Sequence, residues 1–403
     1  MKINIRNAEE YIAVYLGICG EIDQDRVLSL PPLSRGSIYR GIKNLREMRV
    51  LNRHRYADGT TFLRLSSVNG GKYLEAIAPA LAANARSIIG EELKYSGNNI
   101  SRLRERANST FYLNLLENGI SVNGLTCDYK PGDLFQKSAA SAEGESFFSD
   151  SYKPLRFETI VDRIGPEYTG YFTKRIVKER EDDMITHKGS RISRISGTLF
   201  LFGQVYQTYV LEDPYSAAWK AEAEFNASNY VIGTLEKNSG SIRHENKCIL
   251  FYQNPESAEK MLLQDEKRTP RIDPCNIYDT SYVIPSYKIE KAYMELLSTP
   301  DWKTKATRLL FPGTEQNGPA DAITPEGMEV YNFMLCDLNR IRSMMPRILN
   351  ADGPIVLLVE AWMSGAMHGI FDNENVEIVE ISSDELRVLS KEIALGEAAA
   401  DKM

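Results

Sequence analysis

LSRGSIYRGIKNLREMRVLNRHRYADGTTFLRLSSVNGGK, residues 33–72, carries nine Lys or Arg against two acids, Glu47 and Asp58. The whole chain of 403 residues has a formal net charge of −7. A basic block inside an acidic chain marks a local surface for a polyanion rather than general stickiness. Within the block, Ser34 is a good N-cap following Pro31-Pro32, and Ile38, Ile42 and Leu45 recur at intervals of three and four. That spacing predicts a helix whose opposite face bears Ser37, Arg40, Lys43, Asn44 and Glu47. The run Val50–Tyr56, the Asp58-Gly59 turn and the return Thr61–Leu65 predict a β-hairpin.

Upstream, Ile12, Tyr15, Leu16 and Cys19 give a helical stripe over Ala8–Cys19, and Asp23 opens a second short helix to Leu30. Helix, helix, basic helix and hairpin in that order predict a winged helix-turn-helix over residues 1–80, with double-stranded DNA as the partner. The basic helix would enter the major groove. The alternative is a small helical domain with a solvated basic face. The expected contact residues are Arg35, Ser37, Arg40, Lys43, Asn44, Arg46, Arg53 and Arg55. Arg can bridge guanine O6 and N7, and Asn can pair with adenine N6 and N7. Arg53 and Arg55, on the first hairpin strand, suit phosphates. Tyr39 and Arg46 lie on the helix flank, and His54 reads as an ordinary surface histidine.

Composition narrows the remaining classes. The chain is 43% hydrophobic and 26% charged, as in ordinary globular proteins. No apolar stretch approaches the ~18 residues that span a bilayer, so no membrane association is expected. The opening MKINIRNAEE lacks the apolar centre of a signal peptide, and a cytoplasmic location is expected. The five cysteines are scattered and form no CxxC pair, which argues against a disulfide framework and a zinc site.

Beyond the hairpin, Lys72–Ala78, Pro79–Gly90 and Ile100–Glu117 predict helices, making residues 81–130 a helical connector. Residues 131–153, poor in aliphatics and rich in Ser, Ala, Gly and Glu, read as a flexible loop. Residues 154–385 mix strands and helices, and 386–403 form a tail. Strands are expected at Thr198–Phe202, Val205–Leu211, Cys248–Tyr252, Ile355–Ala361, Ala366–Phe371 and Val376–Ile381. Helices are expected at Ala217–Phe225, Pro255–Gln264 after an Asn254 cap, and Pro325–Leu349 after Thr324. The fold class is α+β: a winged helix followed by a larger α/β body. The apolar arc of Ile100–Glu117 either pairs two copies as a homodimer on DNA or packs the winged helix onto the body.

No GxxxxGK[ST] or GxGxxG loop occurs, the four histidines are far apart, and no GxSxG elbow is present. No cofactor or metal is expected for DNA binding, and enzymatic activity is not the leading expectation. One catalytic alternative is a Mg²⁺-dependent endonuclease using Glu212, Asp213 and Lys220, at a strand end and on the helix that follows. A charged strand end beside a helix is otherwise a solvated turn.

The N-terminal block, including LSSVNGGKYLEAI at residues 65–77, resembles the winged helix of plasmid replication-relaxation proteins. In that family a domain similar to PD-(D/E)xK nucleases follows, so the resemblance implies a nuclease-like body and work on mobile-element DNA in replication, transfer or transcriptional control. The chain has the acidic Glu212-Asp213 of the second motif strand, and Ser196-Gly197 where the first would supply Pro-Asp. A third reading makes the body a regulatory interaction or ligand-sensing module that controls the winged helix.

Overall fold

The computed structural model describes residues 2–3, 5–90, 92–93, 99–127, 155, 157–165, 167–178, 194–211, 221–238, 245–263, 274–315 and 318–400. The expected loop at 131–153 and the Glu212, Asp213 and Lys220 set lie outside them. The architecture is mixed α/β, with several sheets and many helices. The chain divides into two compact units, Met1–Phe200 with Asn229–His244, and Leu201–Ser228 with Glu245–Met403.

In the first unit β1 (Lys2–Ile3) precedes α1 (Ala8–Cys19), which is buried from Glu10 to Cys19. Asn7 caps it by accepting the Glu10 N–H at 2.8 Å, and Gly20, at φ 94°, ends it. β2 (Glu21–Asp23) leads into α2 (Gln24–Ser29), capped by Asp23. α3 (Arg35–Glu47) follows, capped by the Ser34 hydroxyl, which accepts from Ser37 N–H at 3.2 Å. α3 buries Ile38, Gly41, Ile42 and Leu45. Each of the three aliphatic side chains contributes roughly 1.5–3 kcal/mol by leaving water. Gly41 sets how close α3 comes to α1, since a Cβ there would lie 3.0 Å from Ile12 Cδ1 and 3.1 Å from Ala8 Cβ.

β3 (Leu51–Arg55) and β4 (Thr61–Leu65) form the expected antiparallel hairpin, with Gly59 at φ 85° in its turn. The short β2, which the sequence reading misses, pairs antiparallel with β4 and completes a three-stranded sheet in the order β2-β4-β3. α4 (Asn69–Ile77) begins three residues before the helix expected at Lys72–Ala78. A Cβ on Gly70 would sit 3.2 Å from the Val50 carbonyl oxygen, so the glycine serves close packing there.

α5 (Pro79–Ile89) and α6 (Asn99–Glu117) belong to the same unit. α6 buries Ala107, Phe111, Tyr112, Leu113, Leu115 and Leu116, and Phe111 and Tyr112 meet Tyr171 at ring centroid distances of 5.4 and 5.6 Å. Most of the arc that suggested a homodimer is therefore occupied inside its own unit, with Leu103 left 49% exposed, and the structure gives pairing no support. Asn84 of α5 donates to the Gly17 carbonyl at 3.0 Å and accepts from Asn123 at 2.6 Å. Asn123 also accepts the Thr173 N–H at 2.8 Å. This buried amide chain ties the N-terminal helices to β5 (Ser121–Val122) and β7 (Thr169–Thr173), and β8 (Gly197–Leu201) follows β7 in sheet order. β6 (Thr126–Cys127) pairs in parallel with β1.

The second unit carries β9 (Gln204–Leu211), β10 (Lys247–Tyr252) and β11 (Thr280–Ile284), paired in parallel. Phe202 and Gly203, at φ 45° and 80°, form the two-residue turn before β9. A second sheet has the order β12 (Ala322–Ile323), β13 (Glu329–Asn332), β14 (Ile355–Glu360) and β15 (Val376–Ile381). The long helix expected at Pro325–Leu349 is instead β13 and a shorter helix, Leu338–Leu349, capped by Asp337. The residues Glu329–Asn332 pair in register with β14, a long-range partner that overrides local helical spacing. The strand expected at Ala366–Phe371 is a helix, Ser364–Ile370. Among the described residues no helix is long and apolar enough to cross a membrane.

Candidate nucleic-acid interface

α3 presents its polar face outward. Arg35, Arg40, Lys43, Asn44 and Arg46 are exposed, and Tyr39 is 63% exposed, high for so large a ring. At about 100° per residue, Arg35, Tyr39, Lys43 and Arg46 fall on one flank and Arg40, Asn44 and Ser37 on the other. Arg53 and Arg55 on β3 are exposed, two residues apart on one face of the strand. Among the described residues no carboxylate lies within salt-bridge distance of Arg35, Arg40, Arg46, Arg53 or Arg55, and Lys43 meets Glu47 only at 3.8 Å. Among the described residues, then, no acid pairs with these five arginines at the surface.

Three expected contact residues carry local duties as well. The Ser37 hydroxyl lies 3.0 Å from the Ser34 hydroxyl, inside the helix cap, and Ser37 is half-buried. The Asn44 amide donates to Glu9 Oε1 at 2.6 Å, so α1 holds its orientation. Lys43 leans along the helix toward Glu47.

Not every basic residue of the block is available to a partner. Arg64 is 7% exposed and pairs across the β2–β4 register with Glu21, Nε to Oε2 at 2.6 Å. Tyr56 donates to Glu21 Oε1 at 3.1 Å and accepts from Arg64 Nη2. Burial, then the Glu21 charge, pushes the Tyr56 phenol up to about 12. This ion pair with its phenol fills the base of the hairpin; removing one member leaves a buried charge alone.

Arg106 is turned onto the hairpin from α6. Its guanidinium lies 4.2 Å from the Tyr56 ring centroid and 4.5 Å from that of Phe62. It also donates to Asp58 Oδ2 at 3.2 and 3.3 Å and to the Thr60 hydroxyl at 3.2 Å. Asp58 is held below the usual carboxylate range, first by the Thr60 hydroxyl and backbone N–H and then by the Arg106 charge. The hairpin tip is thereby fixed to the body of its own unit. His54 faces Tyr56 edge-on at 4.7 Å, and burial, then the charges of Arg64 and Arg102, lower its pKa.

Ser196 and Gly197, which stand where a nuclease motif would supply Pro-Asp, have a packing reason. A Cβ on Gly197 would lie 2.3 Å from the Phe172 carbonyl oxygen and 2.4 Å from Tyr171 Oη, so no aspartate fits at 197 without a shift of β7. Among the described residues no group of three His, Cys, Asp or Glu is arranged to hold a metal ion. No protein-family model, curated protein or solved structure matches this chain.

Proposed function

We propose that this protein binds double-stranded DNA through a winged helix made of α1, α2, α3 and the β3–β4 hairpin. The observation that carries this reading is the row Arg35, Arg40, Arg46, Arg53 and Arg55. These side chains are exposed and have no carboxylate partner among the described residues, while the hairpin behind them is braced by buried pairs. A solvated basic face without a ligand would not need a braced hairpin, and neutralising acids nearby would lower its self-repulsion.

In this reading α3 enters the major groove. Arg40, Lys43 and Asn44 meet base edges or the flanking backbone, and Arg53 and Arg55 meet phosphates beside the groove. The resemblance of residues 1–80 to replication-relaxation proteins would place such binding in plasmid replication, transfer or transcriptional control.

The test is duplex binding as a function of salt. Each phosphate neutralised contributes a slope of roughly −0.9 to log K against log[salt]. The double variant Arg40→Ala, Lys43→Ala should bind more weakly at every salt concentration, while its thermal midpoint stays with the wild type. Equal binding by wild type and double variant would remove α3 from the interface.

A further inference from the structure

Asn44 is the one amide on the exposed face of α3, and it is not left to rotate. Its Nδ2 donates to Glu9 Oε1 at 2.6 Å. Glu9 lies in the first turn of α1, whose start is fixed by the Asn7 cap and by the packing of Ala8 under Gly41. A carboxylate only accepts hydrogen bonds, so it can engage the NH₂ end of the asparagine and not the carbonyl end. The flip state of Asn44, which an isolated asparagine leaves open, is therefore dictated by α1. Asn44 is exposed, so its second N–H and its carbonyl oxygen stay open to a partner, a donor and an acceptor in fixed order.

That pair matches one base edge in the major groove. Adenine offers the N7 acceptor beside the N6 amino donor, whereas guanine offers two acceptors, N7 and O6. We infer that Glu9 is a specificity-determining residue that acts through Asn44, locking its amide to read adenine at one position of a DNA site. The inference rests on the DNA-binding reading above and adds to it the base and the residue that sets it. Glu9 touches no base in this scheme; it is a positioning residue. Its negative charge beside a phosphate-binding face also disfavours non-specific duplex.

The experiment is selection from a random duplex library with the full-length chain, comparing wild type, Glu9→Ala, Asn44→Ala and the double variant. Wild type should enrich adenine at one position, and Asn44→Ala should erase that preference. Glu9→Ala should cut it by roughly tenfold, because the amide then samples both orientations. Glu9→Ala should also bind random duplex more tightly than wild type, a gain that simple loss of structure would not produce. In the Asn44→Ala background, Glu9→Ala should change base preference no further. Thermal unfolding of all four should coincide, since the contact is at the surface. An unchanged adenine preference in Glu9→Ala overturns the inference. So does salt-sensitive binding by the wild type with no adenine position sensitive to Asn44→Ala, and both results leave DNA binding standing. Absence of salt-sensitive duplex binding by the wild type overturns the DNA-binding reading itself.

Discussion

Two amphipathic helices in this molecule look alike as sequence and differ completely in what their arginines do. α3 carries Arg35, Arg40 and Arg46, and Leu338–Leu349 carries Arg340, Arg342 and Arg347; each helix starts on a side-chain cap, Ser34 or Asp337. In the second unit Arg340 pairs with Asp321 at 2.8 Å, and Arg347 pairs with Glu329 while donating to the Tyr331 hydroxyl at 2.8 Å. The partners of these arginines come from β13 and the segment before it, so their charge is spent inside the unit. The α3 arginines have no such partner among the described residues. The acids that do reach that face, Glu9 and Glu47, meet Asn44 and Lys43 instead.

The largest effect expected from this contrast lies beneath the interface. Arg64→Ala strands Glu21, which is 1% exposed, and should destabilise the first unit by roughly 3–5 kcal/mol. Urea unfolding would read this as a lower midpoint for that unit's transition. Arg53→Ala, one strand away and exposed, should leave the midpoint within about 0.5 kcal/mol of wild type. Equal losses in the two variants would show that the hairpin does not separate structural from presented arginines.

Glu360 sharpens the same point with a buried carboxylate that pairs with no cation among the described residues. It is 4% exposed, accepts from the Tyr293 hydroxyl and from Trp362 Nε1 at 2.9 Å, and burial pushes its carboxyl up to about 7. The folded state therefore holds a proton that the unfolded chain releases near its ordinary value. The stabilisation is fully present below about 4.5 and is lost as pH rises through about 7, on the order of 3 kcal/mol in total. Glu360→Gln should flatten the loss of second-unit stability between pH 5 and 8, measured by denaturant midpoints. An unchanged pH slope would place the titration elsewhere.

For the presented row, Arg40→Ala with Lys43→Ala should weaken duplex binding by about ten- to a hundredfold near physiological salt and make the salt slope shallower by up to about 1.8. Arg106→Ala should act less strongly and by another route. It frees the hairpin tip from α6, so footprinting should lose protection on the hairpin side while protection over α3 persists. The smallest effect belongs to the paired arginines of the second unit. Arg347→Ala removes a half-exposed pair worth about 0–1 kcal/mol and should leave duplex binding untouched.

Local signals made α3 and the β3–β4 hairpin of the first unit legible. Ser34, the three-four spacing of Ile38, Ile42 and Leu45, and Asp58-Gly59 specify α3 and the hairpin without long-range help. The expected contact residues came with them, because exposure on an amphipathic helix follows from the same periodicity. What was not legible is pairing across the chain. β2 is three residues long and is a strand only because Glu21, Ile22 and Asp23 find Arg64, Leu63 and Phe62. β13 likewise depends on β14, and Ser364–Ile370 lacks the alternation that separates strand from helix. The Glu9–Asn44 contact spans 35 residues, and Arg106 reaches Asp58 over 48, so neither leaves a local trace.

On the DNA-binding reading, the exposed arginines of α3 and β3, which meet no carboxylate among the described residues, form a duplex-binding surface. The most direct measurement is the equilibrium affinity of the full-length chain for a random duplex between about 50 and 200 mM salt. About six phosphate contacts would give a fall of roughly three orders of magnitude across that range. The slope should be shallower in Arg53→Ala, Arg55→Ala and unchanged in Arg340→Ala. No binding at the lowest salt, or a slope that the Arg340 substitution alters as much as the Arg53 and Arg55 pair, would contradict that reading.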